Sequence, residues 1–300
     1  MSLRAPLPKE AVLVVNAHSR KGRELFEEAA AKLRDAGVTL SAAHALRDPG
    51  RLVPTVRDAV AAGAPMVIVG GGDGSLSSAV DALVGKACVL AILPLGTANS
   101  FARTLGIPLD LDGAVATIAG GRRRRVDLGV LDGDHFANCA AMGLAPIIGA
   151  TVPHGLKRWL GRLGYLVWAC WSLVRFRPFR LTIEDGEGVH TVWATEVRIA
   201  NGSFQGGVEL IEEASVSSGR ILVQVVTGRG TGRLLWDWGA KFFRLPARDA
   251  ATEEFSGKRI RLDARPRQRI SVDGEVTGWT PAVAEIAAGA IEVAVPSPTD

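Results

Sequence analysis

Short β-branched apolar segments alternate with helical patterns through the first 121 residues, and this alternation restricts the fold more than any other feature of the sequence. The segments AVLVV, VTLSAAHAL and MVIVG are followed by helical patterns over residues 23–36, 52–62 and 76–84, and VLAILP comes next. Strands that alternate with helices in this way pair in parallel, because each helix returns the chain to the same end of the sheet. The pattern therefore predicts a doubly wound parallel α/β fold, whose ligands bind at the carboxyl ends of the strands.

A different pattern begins after Val126, where apolar and polar residues alternate with period two and turns such as DGDH and EDGEG separate the segments. This pattern favours a largely antiparallel β domain. We expect an α/β domain over residues 1–125 and a β-rich domain over 126–300, with the final strand free to return to the first domain. The expected strands cover 127–131, 180–183, 192–200, 221–226, 258–262 and 270–272, and helical segments at 156–176 and 233–244 interrupt them.

Composition excludes several classes of protein. The 300 residues are 47% hydrophobic, which is enough to bury the cores of two domains. Lys and Arg together number 35 against 31 Asp and Glu, and this near balance argues against a dedicated nucleic-acid-binding protein. The three cysteines are widely spaced and odd in number, which favours a reducing cytosol over a disulfide framework. No segment reaches the roughly 20 apolar residues of a membrane-spanning helix.

The segment MVIVGGGDGS places a glycine-rich loop directly after a predicted strand. Glycines lack a Cβ atom, so their backbone amides can approach a phosphate closely, and the start of the following helix adds a partial positive charge. Asp73 in this loop could hold a divalent cation on the phosphates. The spacing matches neither a Rossmann dinucleotide motif nor a Walker loop. A simple tight turn between strand and helix is the alternative.

A second loop, LGTANS, follows the next predicted strand. In a doubly wound sheet both loops face one crevice, so Thr97 and Asn99 could donate hydrogen bonds to phosphate or ribose oxygens. The alternative is that these side chains cap the following helix, because Thr, Asn and Ser are all favourable N-cap residues.

Taken together, GGGDGS and PLGTANSFARTLGIP resemble the diacylglycerol kinase catalytic family, which includes diacylglycerol, sphingosine and ceramide kinases. The resemblance continues in VVNAHSRKG, RRVDLGVLDGDHFANCAAMGLAP, WATEVRIANGSFQGG and ISVDGE, and so covers almost the whole chain. It implies an ATP-binding α/β domain, like that of NAD kinase and diacylglycerol kinase, joined to a β-sandwich. It also implies that ATP, Mg²⁺ and a lipid hydroxyl group meet in the cleft between the two domains.

The resemblance also assigns individual residues. The family's proton acceptor falls on Glu275, in the segment VDGE. Asp273 lies two residues earlier, so both carboxylates would share a face if the strand continued, although Gly274 makes a turn equally consistent. A carboxylate can take the proton from an attacking hydroxyl group. The residues matching the family's nucleotide contacts are Asn16, Ser19, Gly70, Gly71, Gly72, Asp73, Gly74, Ser75 and Thr97.

Two positions depart from the family pattern. Ser100 stands where many members have an acidic residue, which suggests a change of specificity. Ser218 replaces an aspartate that many bacterial members use to bind a structural Mg²⁺ ion. A neutral hydroxyl group is a poor ligand for that ion, so we expect this accessory metal site to be weakened or absent.

Basic and aromatic residues are interleaved between positions 156 and 180, and no acidic residue occurs between Asp134 and Glu184. This composition suits the surface of an anionic bilayer, and residues 233–246 are a weaker example. Packing of these segments on the β domain is the alternative. The run of arginines at 122–125 could contact phosphate, or it could be a charged linker.

The sequence thus predicts an ATP- and Mg²⁺-dependent lipid kinase. Its expected substrate is diacylglycerol or a related glycerolipid, with a sphingoid base as the next choice. The alternatives are a kinase for a soluble substrate such as NAD, or a nucleotide- or lipid-binding protein without turnover. We expect a cytoplasmic, peripherally membrane-associated protein that meets its lipid at a membrane surface and does not bind nucleic acid, and a homodimer is left open.

Overall fold

A computed structural model of the chain describes residues 6–17, 20–144, 175–230, 252–273 and 275–297. In these residues, one mixed sheet of 15 strands runs through the molecule, and a separate two-stranded hairpin lies beside it. The first half of the chain contributes parallel strands with helices, and the second half contributes antiparallel strands. The predicted fold class is therefore confirmed.

The parallel strands form the centre of the first half, in the order β2, β1, β3, β4. Every residue of β3 and β4 is buried, as expected for strands covered by helices on both faces. Because the strands are parallel, their carboxyl ends, at Asn16, Gly71 and Pro94, lie at one edge of the sheet. The strands are β1 (Glu10–Asn16), β2 (Thr39–Leu46), β3 (Met66–Gly71) and β4 (Val89–Pro94).

Five helices accompany these strands in the described residues. The helix that follows β3 begins at Asp73, three residues earlier than the sequence pattern predicts, because the glycine loop itself supplies its first turn. The other helices bury apolar residues at helical spacing, such as Leu52, Val56 and Ala59. The helices are α1 (Arg20–Asp35), α2 (Leu52–Ala61), α3 (Asp73–Val80), α4 (Ser100–Thr104) and α5 (Leu111–Gly120), with a 3₁₀ turn at Pro49–Arg51.

Antiparallel strands of the second half enclose a second apolar core, which includes Phe179, Val197, Ile199 and Leu262. The long strand β9 pairs with β8 through its first half and with β7 and β12 through its second half. A register irregularity near Thr195 marks this change of partners. The strands are β5 (Arg122–Leu131), β6 (Asp134–Phe136), β7 (Cys139–Gly143), β8 (Phe179–Glu184), β9 (Val189–Ala200), β10 (Phe204–Gln205), β11 (Val208–Glu209), β12 (Ile221–Thr227), β13 (Thr252–Gly257), β14 (Arg259–Arg265), β15 (Arg269–Val272), β16 (Glu275–Trp279) and β17 (Ala282–Val295).

The last strand, β17, connects the two halves. It pairs in parallel with β4 through Glu292 and Val293, and in antiparallel fashion with β5 and β14. The arginine run at 122–125 belongs to β5, and Arg123 and Arg125 form ion pairs with Glu292 at 3.5 and 3.3 Å. The run is therefore part of a strand, and the linker reading is wrong.

Parts of the predicted basic and aromatic segments lie outside the described residues, namely 156–174 and 233–246. Where the first segment is described, Phe179 is fully buried in the second core and Phe176 packs against that core. These two aromatic side chains follow the packing alternative. In the part of the chain that the structure describes, no helix has the length and hydropathy needed to span a membrane.

Candidate functional site

Two glycine loops meet at the carboxyl ends of β3 and β4. The Leu95 amide donates a hydrogen bond to the Gly71 carbonyl at 3.0 Å. A Cβ atom on Gly96 would lie 2.4 Å from the Cα atom of Gly72, which is much closer than Cβ atoms approach backbone. The two loops can therefore make this contact only because Gly96 has no side chain.

Helix α3 begins inside the first loop, and its first turn is free to bind an anion. Gly72 is the N-cap residue and offers no side-chain hydrogen bond to the helix. The first intrahelical bond runs from the Leu76 amide to the Gly72 carbonyl, at 3.1 Å. The preceding amides, those of residues 73–75, have no acceptor within the helix, and this is the arrangement that binds phosphate at a helix N-terminus.

Asp73 is the first residue of α3 and is half-buried. Its Oδ1 atom accepts a hydrogen bond from the Phe101 amide at 3.2 Å, so the carboxylate also ties α4 to the loop. Within the described residues, no three acidic, histidine or cysteine side chains cluster as a metal site. A Mg²⁺ ion here would therefore share Asp73 with phosphate oxygens and water, which is the usual coordination of Mg²⁺ in nucleotide sites. The donor set fits the ion in that mode.

Asn16 ends β1 beside the same helix. Its Nδ2 atom lies 3.4 Å from the Ser75 Oγ atom, and its Oδ1 atom is buried with no hydrogen-bond partner. A buried acceptor without a donor is costly, so a ligand that donates a hydrogen bond to it would remove that cost. Ser19, the other predicted contact on this loop, lies outside the described residues.

The second loop is held in shape by Asn99, which has a left-handed backbone (φ 49°) and is only 4% exposed. Its Oδ1 atom accepts from the Gly96 amide at 2.9 Å, and its Nδ2 atom donates to the carbonyls of Pro94 and Gly96. The side chain makes no capping bond to α4, so the capping alternative is wrong for Asn99. Asn99 positions the loop, while Thr97 is exposed on it.

Ser100 connects this loop to the second half of the chain. The side chain is buried, and its Oγ atom accepts from the Gly207 amide at 3.1 Å, in the turn between β10 and β11. Nearby, Thr104 donates to the Asn138 Oδ1 atom at 2.8 Å. The serine in place of the usual acidic residue therefore serves as a neutral contact between the halves.

Asp273 faces the first loop from the second half, and its role was not predicted. Its carboxylate accepts hydrogen bonds from the Ala137 and Cys139 amides, both at 3.0 Å, and another from Ser77 on α3. Burial, followed by the charge of Asp73, raises the pKa of Asp273, while these three hydrogen bonds act in the opposite direction. The signal in the sequence was the Asp-Gly pair, which is typical of a two-residue hairpin turn.

Glu275 begins β16 directly after this turn. Val272 of β15 pairs with Glu275, and Asp273 has a left-handed backbone (φ 44°). The strand therefore reverses between Asp273 and Glu275, and the version of the prediction in which both lie on one continuing strand is wrong. The turn places the start of β16 two residues after Asp273, whose side chain contacts Ser77 on α3.

Ser218 closes its own loop. Its Oγ atom donates to the Arg220 carbonyl at 2.9 Å, and the neighbouring Gly219 amide donates to Asp127 Oδ2 at 2.7 Å. No cluster of three candidate metal ligands lies here or elsewhere in the described ranges. Hydrogen bonds hold this loop in the absence of an aspartate at 218.

Comparisons with known proteins agree with this geometry. Residues 10–131 match the family model described as the diacylglycerol kinase catalytic domain. Residues 142–295 match the model described as the YegS C-terminal NAD kinase beta sandwich-like domain.

Individual relatives cover nearly the whole chain. The protein named probable lipid kinase YegS-like from Enterobacter sp. (strain 638) is 30% identical over 86% of this chain and 94% of its own length. The diacylglycerol kinase of Bacillus subtilis (strain 168) is 27% identical over 91% of this chain and 92% of its own. A solved Bacillus anthracis structure, assigned as a diacylglycerol kinase, is similar in fold, with a TM-score of 0.82, 24% identity and coverage of 98% and 97% of the two chains.

Proposed function

Because the chain belongs to the diacylglycerol kinase catalytic-domain family of lipid kinases, we propose that it transfers the γ-phosphoryl group of ATP to a lipid hydroxyl group. The first substrate class is diacylglycerol or a related glycerolipid, and a sphingoid base is the second. The observation that carries the proposal is the uncapped start of α3, which touches the Gly96 loop on one side and the Asp273 turn on the other.

The first half of the chain holds the nucleotide in this proposal. The amides at the start of α3 bind the phosphates, and Asn16 offers its buried acceptor oxygen to the nucleotide. Asp73 would hold Mg²⁺, which neutralises charge on the phosphate oxygens when it is bound. Thr97 lies exposed on the second loop, where a hydroxyl group can donate to phosphate.

Glu275 receives the proton of the lipid hydroxyl group. As the hydroxyl oxygen attacks the γ-phosphorus, its O–H bond breaks and the proton passes to the carboxylate. A P–O bond forms, and the bond between the γ-phosphorus and the bridging oxygen of ATP breaks, which leaves ADP. Asp273 fixes the turn from which Glu275 starts and so positions the base.

The first test incubates the protein with labelled ATP, Mg²⁺ and vesicles that contain diacylglycerol, monoacylglycerol, sphingosine and ceramide, with NAD in the same mixture. Mass spectrometry then identifies the labelled product. A phosphorylated lipid is the expected result and names the substrate. Labelled NADP would replace the proposal with the soluble-substrate alternative, and ATP binding without any product would replace it with binding alone.

Substitution tests the two carboxylates. Asp73→Asn and Glu275→Gln should each lower kcat by about 10² or more. Asp73→Asn removes the carboxylate charge that would hold Mg²⁺ on the phosphates, and Glu275→Gln removes the base. Asp58→Asn, an exposed position on α2, is the matched control and should leave kcat unchanged. Turnover like that of the unmodified chain in either of the first two variants contradicts the role given to that residue.

A further inference from the structure

A row of basic and aromatic side chains crosses three strands of the second half. Arg265 of β14 pairs with Arg180 of β8, which pairs with Trp193 of β9. Direct partners in antiparallel strands share a face, so the three side chains stand side by side. Arg180 lies between the buried residues Phe179 and Leu181, and the row is therefore on the face away from the core.

Trp193 also carries an arginine on its ring. The residue is 42% exposed, and the Arg229 guanidinium carbon lies 5.6 Å from the ring centroid. The Gly228 amide donates to the Trp193 carbonyl at 2.8 Å, which holds the chain beside the ring. An open cleft of about 600 Å³ lies here, lined by Val192, Trp193, Thr227, Gly228, Arg229, Gly230 and Glu253.

A second pair of the same kind lies close by along the chain. Trp279 is 47% exposed, and the Arg269 guanidinium carbon lies 5.0 Å from its ring centroid. Arg265 and Arg269 are the two ends of the short connection between β14 and β15, so this pair follows the row directly along the chain. We name this surface the arginine–tryptophan belt; it consists of Arg180, Trp193, Arg229, Arg265, Arg269 and Trp279.

The Trp193 end of the belt is distant from the phosphate site, whereas Arg269 and Trp279 lie on the two strands that flank the Asp273 turn. On β9, seven residue steps separate Trp193 from Ala200, which pairs with Cys139 beside the Asp273 turn. Seven steps along a strand cover about 23 Å. Substitutions of Arg180, Trp193 and Arg229 therefore leave the residues of the phosphate site in place.

We propose that the arginine–tryptophan belt binds the surface of an anionic bilayer. Exposed tryptophan rings prefer the headgroup level of a membrane, and arginines near an anionic surface each strengthen binding about fivefold. Among the described residues, the four arginines of the belt outnumber the acidic residues beside them, which are Glu253 in the cleft and Asp263, two positions from Arg265 on β14. A second copy of the chain would bring like charges together at this surface, so the charge favours a lipid surface. The inference extends the proposed function, since a kinase with a lipid substrate must meet a bilayer, but binding can be measured without ATP.

Vesicle co-sedimentation tests the belt directly. We expect the protein to bind vesicles of phosphatidylcholine and phosphatidylglycerol, to bind pure phosphatidylcholine at least tenfold more weakly, and to lose affinity as salt rises. Arg180→Glu/Arg229→Glu should weaken binding to the anionic vesicles at least tenfold, and Trp193→Ala should weaken it measurably. Arg57→Glu/Lys86→Glu makes the same change of charge at exposed positions of the first half and should have a small effect.

Controls separate docking from folding and from catalysis. Arg180→Lys/Arg229→Lys keeps the charge and should keep vesicle binding, and thermal unfolding midpoints show whether each variant is folded. The proposal would be overturned if the belt pair and the control pair lost vesicle affinity equally, or if the protein bound neutral and anionic vesicles equally well. It would also be overturned if the belt residues supported self-association or nucleic-acid binding and not vesicle binding. If belt variants lose vesicle binding while no lipid is phosphorylated, the belt stands and only the proposed kinase function fails.

Discussion

Asp273 joins the turn before β16 to α3 and to the start of β7. Its carboxylate accepts from the backbone amides of Ala137 and Cys139, at the start of β7, and also from Ser77 on α3. Its backbone adopts a left-handed conformation that Asp tolerates better than most residues. A single side chain thus fixes both the turn and its distance from α3.

The titration of Asp273 should appear in the stability of the protein. Burial raises its pKa in the folded state, so the folded chain binds more protons than the unfolded chain over that range. The free energy of unfolding attributable to this group therefore falls as pH rises through the folded-state pKa, by at most about 1.4 kcal/mol per pH unit. Asp273→Asn removes this dependence.

Urea unfolding at a series of pH values from about 4 to about 7 measures how the free energy of unfolding depends on the titration of Asp273. The stability of the unmodified chain relative to Asp273→Asn should be greatest at the acidic end and should decline toward neutral pH. The variant should be less stable at the acidic end, because its amide can accept only one of the two backbone hydrogen bonds. A constant difference across the series would contradict the raised pKa.

Among the elements, the two glycine loops depend on each other. Gly96→Ala would place a methyl group 2.4 Å from the Gly72 Cα atom, and the obstructing atom is backbone, so one loop must move. We expect a loss of about 1–3 kcal/mol in the free energy of unfolding, together with at least tenfold weaker ATP binding.

Gly120→Ala in α5 is the matched control, because a Cβ atom there meets nothing within 4 Å. We expect its stability to change by no more than about 0.5 kcal/mol, or to increase, and its ATP affinity to stay the same. Calorimetric titration with ATP and urea unfolding compare the two variants. If Gly96→Ala and Gly120→Ala had the same free energy of unfolding and the same ATP affinity, the contact between the loops would not be needed for either property.

Strand β9 contains a buried charged network that the sequence did not reveal. Arg198 is fully buried, and its Nε and Nη2 atoms lie 2.7 and 2.6 Å from the Glu196 Oε1 atom. Its Nη1 atom donates to Gln224 of β12 at 2.8 Å, and Gln224 donates to Glu254 of β13 at 2.8 Å. In the sequence, charged residues alternating along a strand are typical of a solvent-facing side, whereas here that side is covered.

Arg198→Met should therefore destabilise the protein by about 3–5 kcal/mol, because it leaves the Glu196 carboxylate buried without its cation. The double variant Glu196→Leu/Arg198→Met removes both charges and should regain most of that loss. Urea unfolding of the two single variants and the double variant completes the cycle. A double variant as unstable as the sum of the single variants would contradict the coupling.

For the whole molecule, the continuous sheet predicts a single cooperative unfolding transition. Strand β17 pairs with β4 in the first half and with β14 in the second, and it contributes Ile291, Val293 and Val295 to the first core. Neither half can lose its structure without exposing apolar surface of the other. We expect one calorimetric transition whose van't Hoff and calorimetric enthalpies agree, and two separated transitions would show that the halves unfold independently.

The sequence by itself determined many of the local elements and the two glycine loops of this protein. Strand and helix periodicity depends on neighbouring residues, so the parallel strands, the glycine loop and six strands of the second half, namely β5, β8, β9, β12, β14 and β15, were predicted near their observed positions. Other strands of the second half, such as β7 and β13, were not predicted, and neither were the bounds of the long β17. The exposed backbone amides of a glycine loop before a helix are also a local property, because neither the missing Cβ atom nor the uncapped helix start needs a distant partner.

Only the tertiary structure decided which distant groups meet. The pairing of β17 with both halves, the approach of Asp273 to Ser77, the contact of Ser100 with Gly207 and the arginine–tryptophan row each join residues far apart in the chain. Such contacts depend on strand register and on which face of a sheet is covered. Neither the register nor the covered face can be predicted from a local pattern, because a shift of one residue in register exchanges the two faces of a strand.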